Sequence, residues 1–131
     1  MTTNFYRGAE GALLVYDITD QKSFDDIKMW LKAVQDNTYS DIENIIIGNK
    51  CDKEDVRIVE KETGEIMAKQ NDCLFFETSA KSGSNIDHCF ATLAHHIVAH
   101  QLVIDNYRGI IDDLQPNTGN THSNNKQCCG T

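Results

Sequence analysis

Three short runs of apolar residues, separated by segments with helical periodicity, constrain the fold of this chain more than any other feature. The runs cover residues 11–18, 45–47 and 73–76. Strands that are apolar on both faces are typical of parallel sheets covered by helices. The order of strands and helical segments therefore predicts an α/β fold, with three parallel strands and flanking helices.

A segment with the period of an α-helix follows each run. In the first, Ser23 is predicted as the N-cap, with Asp26 as its capping-box partner. Apolar residues then recur at spacings of three and four and define one buried face. They are Phe24, Ile27, Trp30, Leu31 and Val34.

The second helix is predicted over residues 60–70, where Gly64 weakens it by about 1 kcal/mol relative to alanine. The third is predicted to begin after Asn85 as N-cap and to continue toward Val103. Its expected buried stripe is Ile86, Phe90, Leu93 and Ile97.

Right-handed crossovers would place the first two helices on one face of the sheet and the third on the other. This division is uneven for a complete doubly wound parallel sheet, so the sheet is predicted to be incomplete. From residue 115 the composition changes: residues 115–131 contain the only proline and almost no apolar side chain. A domain over residues 1–114 and a flexible tail over residues 115–131 are therefore expected.

Charge and cysteine content narrow the functional class. The 131 residues carry a formal net charge of -8, which argues against binding nucleic acid through its phosphates. The five cysteines are odd in number and form no CxxC pair, so reduced thiols in the cytosol are expected. His96 and His100 have the spacing of a metal pair, but no carboxylate signature accompanies them, and no metal site is predicted.

Two polar loops follow the second and third strands, at residues 49–52 ("NKCD") and 77–81 ("ETSAK"). Ligands of open parallel sheets bind beyond the carboxyl ends of the strands. A carboxylate such as Asp52 offers two acceptor oxygens and no donor. Guanine presents two adjacent donors, whereas adenine presents one donor and one acceptor, so Asp52 is expected to select guanine.

"NKCD" followed by "ETSAK", and preceded by "YRGAEGALLVYDIT", resembles the Ras-like small GTPases, specifically the Rab branch. The resemblance covers residues 2–103 and the extreme C-terminus. It implies the C-terminal half of a Ras-like P-loop NTPase fold and a guanine nucleotide, GTP or GDP, as ligand. It also implies that Asp52 takes the two guanine donors, Asn49 contacts the other edge of the purine, and the stem of Lys50 packs along the ring.

The second loop has matching roles in the family. The resemblance implies that the Ala80 backbone N–H meets the guanine oxygen. Ser79 would brace the base-reading loop, and Lys81 would cover the other face of the base. Cys51 falls at the variable position of its motif, so no role is expected for it.

Several family motifs do not occur in the 131 residues. They contain no phosphate loop of the form G-x-x-x-x-G-K-[ST], no first switch with its Mg²⁺-binding Thr, and no Asp-x-x-Gly followed by Gln. No catalytic residue is therefore assigned, the Mg²⁺ ligands of the family are missing, and tight GTP binding or hydrolysis by this chain alone is not expected. The first strand would also become an exposed apolar edge.

Two further sites follow from the resemblance. Tyr6 and Arg7 correspond to a segment that borders the second switch and contributes to effector recognition, although Tyr6 could instead simply cover the sheet. Cys128 and Cys129 in "KQCCGT" correspond to the sites of double geranylgeranylation, with two exposed thiols without function as the alternative. Two lipid chains suffice for stable membrane attachment.

The sequence thus predicts a Rab-type GTPase of vesicle trafficking that acts on the cytoplasmic face of intracellular membranes, with a cytosolic pool. Effectors, exchange factors and the prenylation escort protein are the implied partners. The alternatives are a truncated, non-hydrolysing isoform that acts as a lipid-anchored interaction module, and a guanine-binding fragment without a stable fold.

Overall fold

The computed structural model describes residues 6–38 and 42–114. The chain divides into two compact units, Met1–Val98 and Ala99–Thr131. A short 3-10 turn covers Glu54–Val56. The regular elements, in chain order, are β1 (Gly11–Asp17), α1 (Gln21–Asp25), α2 (Ile27–Asn37), β2 (Glu43–Asn49), α3 (Lys61–Gln70), β3 (Leu74–Glu77) and α4 (Ile86–Leu114).

The three strands form one parallel sheet in the order β1-β2-β3, which confirms the predicted fold class. β1 and β2 pair over their full length, and the last residues of the two strands, Asp17 and Asn49, are register partners. β3 pairs with the second half of β2, from Ile45 opposite Leu74 to Gly48 opposite Glu77. The carboxyl ends of β2 and β3 therefore lie side by side.

Each face of the sheet has its own core. The first core joins β1 and β2 to side chains from α1, α2, α3 and the loop before α3: Leu14, Tyr16, Ile18, Phe24, Ile27, Leu31, Ile46, Val59, Met67 and Ala68. The second core, on the α4 side, consists of Ile45, Ile47 and Cys89, with Leu13, Leu74, Phe76 and Leu93 packed against it. The helices are divided between the two faces of the sheet as predicted.

The first helical segment is broken in two, and its cap differs from the prediction. Asp20 is the N-cap of α1 and accepts a hydrogen bond from the Lys22 backbone N–H at 3.0 Å. Ser23 lies inside α1, where its hydroxyl donates to the Asp20 carbonyl at 2.7 Å. Asp26 separates α1 from α2 and makes no side-chain capping bond. The acid that caps this segment is therefore the one at the end of the preceding turn.

Trp30 is the second correction in this segment. It was predicted to lie on the buried face of the helix, but 38% of its surface is exposed. Phe24, Ile27, Leu31 and Val34, the other members of the predicted face, are all buried.

Gly64, predicted as a weakness of the second helix, allows α3 to lie close to the sheet. A Cβ atom at this position would come within 2.5 Å of both the Phe75 ring and the Tyr16 hydroxyl oxygen. The cost of glycine within a helix is therefore offset by a close approach that a larger residue would prevent. The helix begins at Lys61, one residue after the predicted start.

α4 begins after Asn85, as predicted, and extends beyond Val103 to Leu114. Asn85 has a positive φ of 60°, and its side-chain amide donates to the Glu77 carbonyl at 2.9 Å. Phe90, placed on the buried stripe by the sequence, is 56% exposed, and the buried residue is its neighbour Cys89. The helical period therefore predicted the buried side of α4 only to within one residue.

None of the helices in residues 6–38 and 42–114 has the length and apolar character needed to cross a membrane. The tail predicted for residues 115–131, with Cys128 and Cys129, lies outside the described residues.

Candidate functional site

The loops after β2 and β3, residues 49–52 and 77–81, lie against each other and are called the paired loops below. The Thr78 backbone N–H donates to the Gly48 carbonyl at 2.9 Å, and the Cys51 N–H donates to the Thr78 carbonyl at 3.0 Å. These two bonds extend the strand pairing beyond the end of β3. Residues 27 to 30 positions apart in the sequence are thereby brought into one polar surface.

Asn49 connects the two loops through a single atom. Its Oδ1 accepts hydrogen bonds from the Thr78 hydroxyl and from the Ala80 backbone N–H, both at 3.1 Å. Within the described residues, no partner is found for the Asn49 Nδ2 donor. The Ala80 N–H, which the family resemblance assigns to the ligand, is thus already donated to Asn49, and a ligand oxygen would share it.

Ser79 and Asp52 make the second connection. Ser79 is completely buried, and its hydroxyl donates to Asp52 Oδ1 at 2.7 Å while accepting from the Ser82 N–H at 3.1 Å. The hydrogen bond from Ser79, helped by the positive charges of Lys81 and Lys53, lowers the pKa of the Asp52 carboxyl. Asp52 is therefore held in its ionised form, as a group that only accepts hydrogen bonds.

Lys50 is fixed by Asp17, a residue that the sequence reasoning did not assign. Its Nζ atom lies 2.6 Å from Asp17 Oδ2, and its backbone has a positive φ of 68°. Thr19 also donates to Asp17 Oδ1, from its backbone N–H at 2.8 Å and its hydroxyl at 2.7 Å. The sequence did contain one signal for this contact. Asp17 is an acidic residue at the end of the first apolar run, and Lys50 follows the end of the second run.

The ionisation of this pair follows from these contacts. Burial by itself would raise the pKa of Asp17, but the hydrogen bonds from Lys50 and Thr19 outweigh it and lower the pKa to about 2. The same hydrogen bond and the negative charge of Asp17 raise the pKa of Lys50. Both groups are therefore charged at neutral pH.

Arg57 and Glu77 form an ion pair beneath the paired loops that was also not predicted. The guanidinium contacts the two Glu77 carboxylate oxygens at 2.6 and 2.9 Å, and the two side chains are only 8% and 10% exposed. Arg57 also donates to the Val59 carbonyl at 2.9 Å and pairs with the exposed carboxylate of Glu54. The segment that follows Asp52 is thereby attached to the end of β3, where "ETSAK" begins.

The remaining described residues that were predicted for a functional site are Lys81, Arg7 and Tyr6. Lys81 is exposed, and no hydrogen bond or ion pair is found for its side chain within the described residues. Arg7 is also exposed, whereas Tyr6 is half-buried. Tyr6 lines a cavity of about 540 Å³ together with Trp30, Val34, Ile42 and residues from the first half of β1.

The described residues contain no group of three or more His, Cys, Asp or Glu side chains that could hold a metal ion. The paired loops present instead an ionised carboxylate, an amide donor and a fixed lysine. These groups can form hydrogen bonds with a planar polar ligand.

Comparisons with known proteins identify the family of the chain. A sequence model described as the Ras family matches residues 1–99. The chain is 48% identical over 98 residues to Ras-related protein Rab-13 of Bos taurus, which covers 75% of this chain and 48% of the relative. It is 51% identical over 98 residues to Ras-related protein Rab-8B of Homo sapiens, with 75% and 47% coverage.

A further relative, Ras-related protein Rab-10 of Diplobatis ommata, is 43% identical over 129 residues, which are 98% of this chain and 63% of the relative. The chain thus spans about half to two thirds of the length of these curated relatives. The family match covers most of the chain, including both paired loops and the three strands that support them. The chain therefore belongs to the Ras family of small GTPases and is of the Rab type.

Proposed function

We propose that the paired loops form the guanine-binding part of a Rab-type nucleotide switch, with GTP and GDP as its ligands. The observation that carries the proposal is the pair of connections between the loops, from Ser79 to Asp52 and from Ala80 and Thr78 to Asn49. They fix the carboxylate and the amide before any ligand arrives. A site that is organised in advance loses less entropy when it binds.

The chemistry of each group supports guanine as the base. Asp52 accepts one side-chain hydrogen bond, from Ser79 to Oδ1, within the described residues, so acceptor capacity is left for the adjacent donors of guanine. The Nδ2 group of Asn49 can donate to an acceptor on the other edge of the purine. The stem of Lys50, with its ammonium held by Asp17, would lie along one face of the ring, and Lys81 would cover the other.

We expect the 131-residue chain by itself to bind nucleotides weakly. The phosphate loop of the family supplies several charge-assisted hydrogen bonds, each worth about 1.5–3 kcal/mol. Four such bonds amount to at least roughly 6 kcal/mol, which is more than four decades of affinity. Labelled GTP should therefore show no submicromolar binding to the purified chain, and tight Mg²⁺-dependent binding would contradict this expectation.

Base selection can be tested separately from affinity. Guanosine, adenosine and xanthosine are titrated into the isotope-labelled chain, and amide chemical shifts are followed by NMR. Guanosine should shift residues 48–52 and 78–81, and adenosine should not. Equal responses to guanosine and adenosine would exclude the proposed base recognition.

Substitution at Asp52 sharpens this test. Asp52→Asn replaces an acceptor with a donor, so the preference should move from guanosine to xanthosine, which carries an oxygen in place of the exocyclic amine. Asp55→Asn is the matched control, because Asp55 is an exposed acid near the same loop for which no side-chain contact is found in the described residues. A change of preference in the control variant, or none at Asp52, would contradict the assignment.

We further propose that the chain acts in vesicle trafficking as Rab proteins do, with effectors and exchange factors as partners and Tyr6 and Arg7 in the effector surface. Geranylgeranyl groups on Cys128 and Cys129 would attach it to the cytoplasmic face of intracellular membranes, leaving a cytosolic pool. Intact mass measurement of the protein from cells tests the attachment. Two added geranylgeranyl groups are expected, one in a Cys129→Ser variant, and an unmodified mass would exclude it.

A further inference from the structure

The C-terminal half of α4 exposes a row of large apolar side chains. Within residues 99–114, six large apolar side chains are more than half exposed: Leu102 on one side of the helix, and Val103, Tyr107, Ile110, Ile111 and Leu114 on another. Since successive residues of an α-helix are rotated by about 100°, the latter five and Ile104 fall within an arc of about 120°. We propose that this apolar face is a self-association surface on which two copies of the chain pair through their helices.

The spacing of the residues supports a helical partner. Ile104 and Ile111 are seven residues apart, as are Val103 and Ile110, and Tyr107 and Leu114. A seven-residue repeat keeps the same side chains on the seam between two helices, and a second copy presents the same repeat. The face is therefore complementary to itself.

The charges of the helix argue against a membrane as the occupant. Its other side carries Asp105, Asp112 and Asp113 against a single Arg108. Helices that lie on anionic membranes carry lysine and arginine on the polar face instead. The three aspartates also lie away from the apolar arc, so that two paired helices would not place them against each other.

The composition of residues 115–131 does not favour them as the partner of this face. Residues 115–131 contain no Leu, Ile, Val, Met or aromatic side chain. A second copy, in contrast, brings an apolar face of equal size. With on the order of 100 Å² per side chain, two copies would bury about 1,000 Å² in total, near the lower limit for a specific interface. The dimer is therefore weak, with a Kd in the micromolar range.

The inference does not depend on nucleotide binding, and sedimentation equilibrium of the full 131-residue chain tests it. A reductant is included, because five cysteines could otherwise link copies covalently. Over about 5 to 500 µM the chain should pass reversibly from monomer toward dimer. A chain that stays monomeric over this range would overturn the proposal.

Two matched variants locate the surface. Ile111→Glu puts a charge on the apolar face and should weaken dimerisation at least tenfold. Leu102→Glu makes the same change at a residue of similar exposure, 59% against 52%, on the opposite side of the helix, and should leave dimerisation unchanged. Equal effects of the two variants would overturn the proposal, as would a dimer that Ile111→Glu does not affect.

A third variant tests the surface by strengthening dimerisation instead of weakening it. His100 is the polar residue that falls within the apolar arc, so His100→Leu should strengthen dimerisation several-fold while circular dichroism shows unchanged helix content.

Higher salt should also strengthen dimerisation, because the net charge of -8 makes two copies repel each other. Weaker association at high salt would overturn the proposal, and so would binding to phosphatidylserine vesicles by unprenylated monomers.

Discussion

Around the paired loops the polar side chains that hold the two segments together are hydrogen-bonded to each other, whereas the C-terminal half of α4 leaves its large apolar side chains in solvent. Thr78, Ser79, Arg57 and Glu77 all lie within hydrogen-bond distance of a partner. Val103, Tyr107 and Leu114 are more than half exposed. The first region is held together by its own hydrogen bonds, and the second has the character of a surface that another molecule covers.

The sheet shows the same contrast on a smaller scale. Val15 of β1 and Ile47 of β2 are register partners, yet Val15 is 53% exposed and Ile47 only 4%. β1 lies at the edge of the sheet, and the α4-side core is built on β2 and β3. The α4-side core therefore depends more on β2 than on β1.

The largest expected effect comes from separating the buried ion pair beneath the paired loops. Arg57→Met leaves the Glu77 carboxylate buried without its partner and should lower the free energy of unfolding by about 3–5 kcal/mol. Urea denaturation measures this. In the double variant with Glu77→Met most of the loss should be recovered, while Glu54→Gln, at the exposed end of the network, should change little. A small effect of Arg57→Met would mean that water reaches the pair.

A second comparison concerns two buried hydroxyl groups. The Thr78 hydroxyl donates to Asn49, so Thr78→Val should cost about 1–2 kcal/mol of unfolding free energy. The Tyr16 hydroxyl has no partner within the described residues, and burial raises the pKa of Tyr16 to about 12. Tyr16→Phe should therefore be neutral or stabilise the fold by up to about 1 kcal/mol. Destabilisation by Tyr16→Phe in urea denaturation would reveal a hydrogen bond to the hydroxyl.

The pH dependence of stability tests the contact between Asp17 and Lys50. The pKa of Asp17 is about 2 in the folded chain, below its ordinary value of 3.8. The unfolded state therefore takes up the proton first, so the stabilisation is complete above about pH 4 and is lost as the pH falls toward 2.

At neutral pH this contribution is about 1–2 kcal/mol, because part of the pair is open to solvent. Asp17→Asn should lose it, and the stability difference between the variant and the wild type should shrink between pH 5 and pH 3. Denaturation curves at the two pH values measure this. A difference that does not depend on pH would show that Asp17 acts through packing alone.

The smallest effect is expected at Gly109, in the exposed half of α4. A Cβ atom at this position would have no atom within 4 Å, and glycine within a helix costs about 0.5–1 kcal/mol relative to alanine. Gly109→Ala should raise the helix content measured by circular dichroism. Gly64→Ala in α3 is the contrasting control, since its Cβ would clash with Phe75 and Tyr16 and should destabilise the fold. Equal responses at the two glycines would contradict the difference between the regions.

Much of the fold could be predicted, because burial imposes a period on the sequence. The three strands, their parallel order and the division of the helices between the faces follow from runs that are apolar on both sides. Helix ends and single buried positions were predicted less accurately. Asp20 rather than Ser23 caps the first helix, and Cys89 rather than Phe90 is buried in α4, because the period gives the spacing of buried residues but neither the cap nor the exact rotation of the helix.

By itself the sequence determined the family and located the two polar loops, since "NKCD" and "ETSAK" are contiguous motifs whose chemistry can be inferred residue by residue. The tertiary structure alone decided what holds those loops in place. Asp17 meets Lys50 because β1 and β2 end in register, and Arg57 meets Glu77 because the loop after β2 returns to the end of β3. Such contacts join residues 20 to 33 positions apart, and no local pattern of charge or hydrophobicity specifies them.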